Sequence, residues 1–243
     1  MIVRRFIFGV LLAATAAVIT AGVLAQATHR QTATSNTSRD AAWVRAFAAT
    51  GQLSTTGVGI GRENQLNWDP RFTSLLAASF PQKQWFWYDH WKLTPLPAVM
   101  QLFMGVPGNA VLDDGRFVTL DGCVPHDCGT NRGMLWIDTG TDPAVLIFAG
   151  INTISSNSSP FKSHLWVYTS EKLNWQKVPP SFLFSLNRWL ATIGENGYFG
   201  TDGYRYDFSL ATIVQPNGVM TDLGPNVFGL DVTESHTTPG AGL

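Results

Sequence analysis

Between Pro95 and Val178 the chain is a succession of short apolar runs separated by turn residues, with no helical period between them. Ala110 to Leu112 faces Arg116 to Leu120 across Asp113-Asp114-Gly115, whose Asp-Gly pair favours a hairpin. Met134 to Ile137 and Val145 to Ile151 are joined by a turn-rich connection from Asp138 to Pro143, and His164 to Thr169 follows a Ser/Asn-rich loop, with Asn174 to Val178 as a shorter strand. Strands that succeed one another without helical spacers predict antiparallel pairing and argue against βαβ units. The expected fold class is therefore α+β, with an antiparallel sheet of about five strands and helices packed on it. One helix is signalled by Asp69-Pro70, where Phe72, Leu75, Leu76 and Phe80 recur at helical spacing until Pro81. A second begins at Pro179-Pro180 and carries Phe182, Leu183, Leu186, Trp189, Leu190 and Ile193 as one stripe to a stop at Gly194, which predicts that it lies across a face of the sheet. Tyr204 to Val214 adds a strand before a turn at Gln215-Pro216-Asn217-Gly218, and Thr233 to Leu243 reads as a frayed end.

Only 14% of the 243 residues are charged and 12% are aromatic, nine of them Trp, so the chain can bury a core and is not disordered throughout. Its net charge of −1 comes without any long basic run, which excludes the electrostatic footprint of a nucleic-acid binder. Gly57, Gly59 and Gly61 are followed by Arg62, miss the dinucleotide-binding spacing, and read as a loop. The block Trp85-Phe86-Trp87-Tyr88-Asp89-His90-Trp91 could be a platform for sugar rings. Its alternation of Trp85, Trp87, Asp89 and Trp91 equally fits one face of a strand, and packing is the favoured reading. The hydrolase signatures G-x-S-x-G and H-E-x-x-H are absent, so the chain does not read as an enzyme, and nothing in it calls for a cofactor.

Arg4 and Arg5 precede an uncharged run from Phe6 to Ala25 that ends in Ala25-Gln26-Ala27, the pattern of a secretory signal peptide cut after Ala27. The run is also long enough to span a bilayer, so an uncleaved anchor is the rival, and a membrane is a partner only in that case. Cleavage leaves a mature chain of net charge −3. The expected organisation is a signal peptide at 1–27, a polar linker with a short helix opened by Asp40 at 28–65, a main domain at 66–195 and a C-terminal extension at 196–243.

One short stretch concentrates unusual residues: Gly122-Cys123-Val124-Pro125-His126-Asp127-Cys128-Gly129. In an exported chain the only two cysteines, Cys123 and Cys128, are expected to pair. Three readings of the ring compete. Cys123, His126 and Cys128 could ligate zinc or copper, although no fourth ligand is local and a disulfide offers no thiolate. The bridge could be a plain structural staple with His126 a solvated loop residue. Or it could be a stiff recognition loop, shaped by Pro125, that loses little entropy on docking.

The stretch Cys123-Val-Pro-His-Asp-Cys-Gly-Thr-Asn-Arg132, flanked by strands and followed by a helix with the Trp189-Leu190 pair, resembles the Ivy family of inhibitors of vertebrate lysozyme. The resemblance covers roughly Pro70 to Ile193. It implies an Ivy-like fold and a periplasmic protein whose loop, Cys123 to Cys128, enters the cleft of c-type lysozyme with His126 meeting the catalytic carboxyls. Endogenous lytic transglycosylases are a second possible target, and a homodimer is compatible with the same reading. Family members commonly carry Lys at the position of Val124, and the tail after Gly194 is longer than the family needs. A retaining glycosidase holds two carboxyls about 5 to 5.5 Å apart, and one imidazole has two nitrogens with which to meet both. The rival from another class is an envelope glycan-binding protein, or a non-inhibitory structural one, on the same fold. Export is the first point to test: N-terminal sequencing is expected to return Thr28 in a soluble periplasmic fraction, whereas an intact start in the membrane fraction would make the segment an anchor.

Overall fold

The computed structural model describes residues 39–51, 66–88, 90–155, 161–195 and 206–229. The predicted signal peptide, most of the predicted linker, the glycines at 57–61 and the predicted frayed end lie outside these residues. Helix α1 (Ala42–Gly51) opens where the Asp40 carboxylate accepts the Ala42 N–H, and α2 (Pro70–Ser79) opens where Asp69 accepts the Arg71 N–H. A hairpin of β1 (Lys83–Phe86) and β2 (Lys92–Pro95) follows, and then α3 (Leu96–Phe103). The main sheet comprises β3 (Val106–Asp113), β4 (Phe117–Cys123), β5 (Asn131–Asp138), β6 (Val145–Ser155), β7 (Phe161–Thr169), β8 (Tyr206–Val214) and β9 (Met220–Leu223). Helix α4 (Pro180–Glu195) connects β7 to β8.

The expected sheet of about five antiparallel strands is corrected to a mixed sheet of seven, in the order β3 to β9, beside a separate two-stranded sheet. All neighbours in the large sheet are antiparallel except β7 and β8, which run parallel. The reason is α4, a crossover long enough to return the chain to the starting end of β7. Strands β8 and β9 come from residues that the sequence sets apart as an extension.

The sheet is covered on both sides. Val118, Leu120, Leu135, Ile137, Leu146, Phe148, Trp166 and Tyr168 meet α1, α2, α3 and the small hairpin, while Met134, Trp136, Ile147, Ala149, Leu165 and Val167 meet Phe182, Leu186 and Trp189 of α4. Two-sided burial explains why β5 and β6 read as continuous apolar runs rather than as alternation.

Several local expectations change. The stretch after Pro95, which the sequence reads as short strands, opens instead with α3, Pro95 standing at its N-cap and Pro97 in its first turn, where a missing N–H has no partner to lose. Residues 174–178 are not a strand; Trp175–Lys177 form one 3-10 turn that Asn174 caps through the Gln176 N–H. Helix α4 continues through Gly194 to Glu195. The Trp block does not share one strand face: in β1 it is Gln84 and Phe86 that point inward, Trp85 is half exposed, and the chain leaves the strand at Trp87, which is buried.

A row of glycines receives that tryptophan. Gly122, Gly133 and Gly150 are register partners across β4, β5 and β6. A Cβ on Gly150 would lie 2.5 Å from Trp87 Cη2, one on Gly133 2.9 Å from Phe103 Cβ, and one on Gly122 2.8 Å from Met104 Cα. The trough lets Trp87 and the end of α3 approach the sheet backbone, with Trp87 stacked on Phe86 at 4.0 Å and on Trp166 at 5.6 Å between centroids.

Two buried titratable side chains give the fold opposed acid responses. His164 is stacked on Trp166, and its Nε2 lies 2.8 Å from Thr212 Oγ1, which donates in turn to Asp222. Burial pushes the imidazole down to about 4, against the pull of Asp222. Burial pushes Asp121 up to about 6, opposed by the Asn109 N–H it accepts and by the charges of Arg132 and Arg188. The unfolded chain therefore binds more protons at position 164 between about 4 and 6.5, so that contribution weakens as pH falls; the folded chain binds more at position 121 between 3.8 and about 6, so that contribution weakens as pH rises. The two offset one another in their shared window. Denaturant melts between pH 6.5 and 4 should show Asp121→Asn losing stability relative to the parent on acidification and His164→Gln gaining it, and parallel profiles for all three proteins would refute the assignment.

Candidate functional site

Strand β4 ends at Cys123 and β5 starts at Asn131, with Cys123 opposite Arg132, so the ring is the tip of a hairpin held by two long strands. The pairing expected from the sequence is present: Cys123 and Cys128 are joined, with their Cα atoms 4.9 Å apart. Within the ring the Asp127 N–H donates to the Val124 carbonyl at 2.9 Å, which closes a four-residue turn over Val124 to Asp127. Pro125 occupies its second position and His126 its third, at φ +65. A proline followed by a residue of positive φ defines a type II turn, and histidine is among the few non-glycine residues that enter the left-handed region with some frequency. Pro125 and His126 are exposed at the tip.

Asp127 does not stand beside His126 as a second outward group. Its carboxylate turns back into the loop, accepting from the Thr130 hydroxyl and from Asn131 Nδ2 at 2.5 Å, while its carbonyl accepts the N–H groups of Thr130 and Asn131 at 3.2 and 3.0 Å. Asn131 Oδ1 accepts from Trp87 Nε1 at 3.3 Å. The ring is thus linked through Asp127 and Asn131 to the tryptophan seated over Gly150. Two more contacts brace it from the sides: Tyr206 Oη donates to the Gly129 carbonyl at 3.3 Å, and the Thr153 N–H donates to the Thr130 carbonyl at 3.2 Å.

Val124 also faces inward. It is 3% exposed and belongs to the core on the α3 side of the sheet, so its side chain packs beneath the loop and does not stand at the tip. Cys123 is buried, and Asp127 and Cys128 are half-buried. Of the six residues singled out from the sequence, the structure gathers all in one loop but exposes fully only Pro125 and His126. With both sulfurs in a disulfide, the ring has no thiolate for the zinc or copper reading. Sequence reasoning missed Trp87, Thr130 and Asn131. The last two directly follow the ring, and an Asp with Thr and Asn three and four residues on is a signal for side-chain turn closure; Trp87 is 44 residues from Asn131 and carries no such local sign.

The inward network makes the loop's order measurable. Trp87→Phe keeps the packed ring but strands the Asn131 carbonyl, and should cost about 1–3 kcal/mol. Asp127→Ala removes the acceptor for two side chains and should cost about as much, while Val124→Lys buries an amine in the core and should destabilise by at least that amount. Thermal melts of the three variants test this, and melting unchanged from the parent would show that the network does not hold the loop.

Residues 94–163 match the family model described as Inhibitor of vertebrate lysozyme (Ivy), a span that runs from β2 through α3, β3, β4, the ring, β5 and β6 into β7. No curated protein matches the chain, and no solved structure does. Among the described residues, no helix is long and apolar enough to cross a membrane.

Proposed function

We propose that this chain, whose residues 94–163 match the Ivy family model, is an exported inhibitor of c-type lysozyme that closes the enzyme's cleft with the loop from Cys123 to Cys128. The observation that carries the reading is the placement of His126: it sits in a left-handed conformation at the tip of a disulfide-closed type II turn, exposed, above a carboxylate already engaged from below.

The chemistry follows from the target. A retaining glycosidase works with one protonated carboxylic acid and one carboxylate at the floor of a groove wide enough for a sugar ring. A hairpin tip that offers one imidazole fits such a floor: the neutral ring donates from one nitrogen and accepts at the other, so it can meet a carboxylate and a protonated acid together. Because Asp127 is held inward by Thr130 and Asn131, the tip does not present a carboxylate to two others. Pro125 would pack against the cleft wall. The loop's ordering entropy is lost when the protein folds, not when it binds, which is the benefit of preorganisation. The loop transfers no group and needs no cofactor on this reading; it occludes. The periplasm is the proposed location and a host lysozyme the proposed partner, with the cell's own lytic transglycosylases as the second target to assay.

The glycan-binding alternative loses part of its basis, since Trp87 is buried and only Trp85 and Trp91, each 47% exposed, remain of the proposed platform. The deciding measurement is residual muramidase activity during titration of c-type lysozyme. His126→Ala should weaken inhibition by about 2 kcal/mol or more, roughly thirtyfold, with unchanged melting. Reduction of the ring should weaken inhibition more than it lowers stability. Undiminished inhibition by His126→Ala would dismiss the plug, and a wild type inactive against every lysozyme class would dismiss the inhibitor.

A further inference from the structure

The end of the sheet remote from the ring carries a groove that lysozyme inhibition does not use. Strand β7 starts near the ring and runs away from it; at about 3.3 Å per residue, its far end at Thr169 lies roughly 26 Å from Phe161. Beyond that end the segment 170–175 and the β8–β9 turn face each other across an open cavity of about 860 Å³. The two lips are fixed to one another. The Gln215 carboxamide accepts the Leu173 N–H at 2.9 Å and donates to the Leu173 carbonyl at 2.8 Å, and Gln84 of β1 donates to the Pro216 carbonyl at 2.9 Å.

The lining has a consistent chemical bias. Asn174 and Asn217 use their side-chain oxygens locally, accepting from the Gln176 and Val219 N–H groups. Among the described residues their amide nitrogens make no other hydrogen bond, and the same is true of the Lys172 ammonium. Lys172, Asn174 and Asn217 thus bring side-chain donors to the groove, the Ser170 and Thr221 hydroxyls can donate or accept, and the lining carboxylate is that of Glu171, which Arg39 already engages. Between these polar groups lie two exposed apolar surfaces, Trp175 at 40% and Val219 at 53% exposure. An aromatic face beside amide donors suits a pyranose, whose C–H face packs on a ring while its rim of oxygens accepts. An acetamido substituent matches the rest: its carbonyl accepts from an amide or ammonium, and its methyl rests on Val219.

We propose that this groove binds a saccharide chain bearing N-acetyl groups. The inference stands independently of the lysozyme reading and uses none of its residues, so each can fail alone. The probe is the tetramer of N-acetylglucosamine, titrated into the full chain by calorimetry, with cellotetraose, which lacks the acetamido group, as comparison. The tetramer should saturate one site, with cellotetraose at least about tenfold weaker. Trp175→Ala should weaken tetramer binding by about tenfold or more, Val219→Asp should do the same from the opposite lip, and Trp175→Ala should leave lysozyme inhibition and melting temperature unchanged. No saturation up to about 10 mM would overturn the proposal. Equal binding of the two tetramers would overturn the acetamido assignment, and binding that survives both Trp175→Ala and Val219→Asp would place the sugar elsewhere.

Discussion

The seating of Trp87 over Gly150 is the contact on which the presentation of the ring depends. A side chain at Gly150 would occupy the position of the indole, and the neighbouring glycines of β4 and β5 admit the end of α3 in the same way. At that depth the indole N–H reaches Asn131 Oδ1, and Asn131 in turn shares the Asp127 carboxylate with Thr130. The trough lies beside the ring, since Gly122 precedes Cys123 and Gly133 follows Arg132, the strand partner of Cys123. Packing of the layer above the sheet and the shape of the exposed tip are therefore one problem, solved by omitting three side chains.

That arrangement assigns different tasks to the covalent and the non-covalent parts. A ring spanning so few residues constrains the unfolded chain only modestly, while seven paired strands with cores on both faces supply the cohesion of the domain. The disulfide limits which conformations the tip can visit, and the Asp127 network selects one of them. His126 is left as the residue whose backbone is strained toward the left-handed region and whose side chain has the least to do inside the molecule. A residue of that kind is commonly found where a protein meets a partner.

What the sequence disclosed was local. The Asp-Gly turn between β3 and β4, the Asp69-Pro70 helix start, the apolar stripe of α4 and the cysteine pair all depend on residues within one turn or one strand of each other, and each appears where its pattern places it. The parallel pairing of β7 with β8 depends on where a sixteen-residue helix delivers the chain, and β9 on a strand too short to show a period. Neither leaves a local trace. The alternation of the Trp block does not carry through Trp87, because the strand ends at Phe86 and the trough that captures the indole is built from residues 122, 133 and 150. Within the site, histidine, proline and the bridge were legible, but the inward turn of Val124 and Asp127 was not, because it is set by α3 and by Asn131 on the next strand.

The two ends of the sheet also differ in how they are stiffened, and the difference follows from what each must accommodate. The ring end is closed by a covalent bond and by side chains that fill its interior, leaving a convex tip suited to entering a cleft. The other end is tied across an opening by a single carboxamide that satisfies both backbone groups of Leu173, which keeps the lips apart as well as together. A convex element gains from side-chain hydrogen bonds that fill its interior, as those to the Asp127 carboxylate do. A concave one gains from groups that are held in place but not consumed, as the amide nitrogens of Asn174 and Asn217 are. Because the rigid strand β7 spans the distance between them, either end can be engaged without disturbing the register that shapes the other.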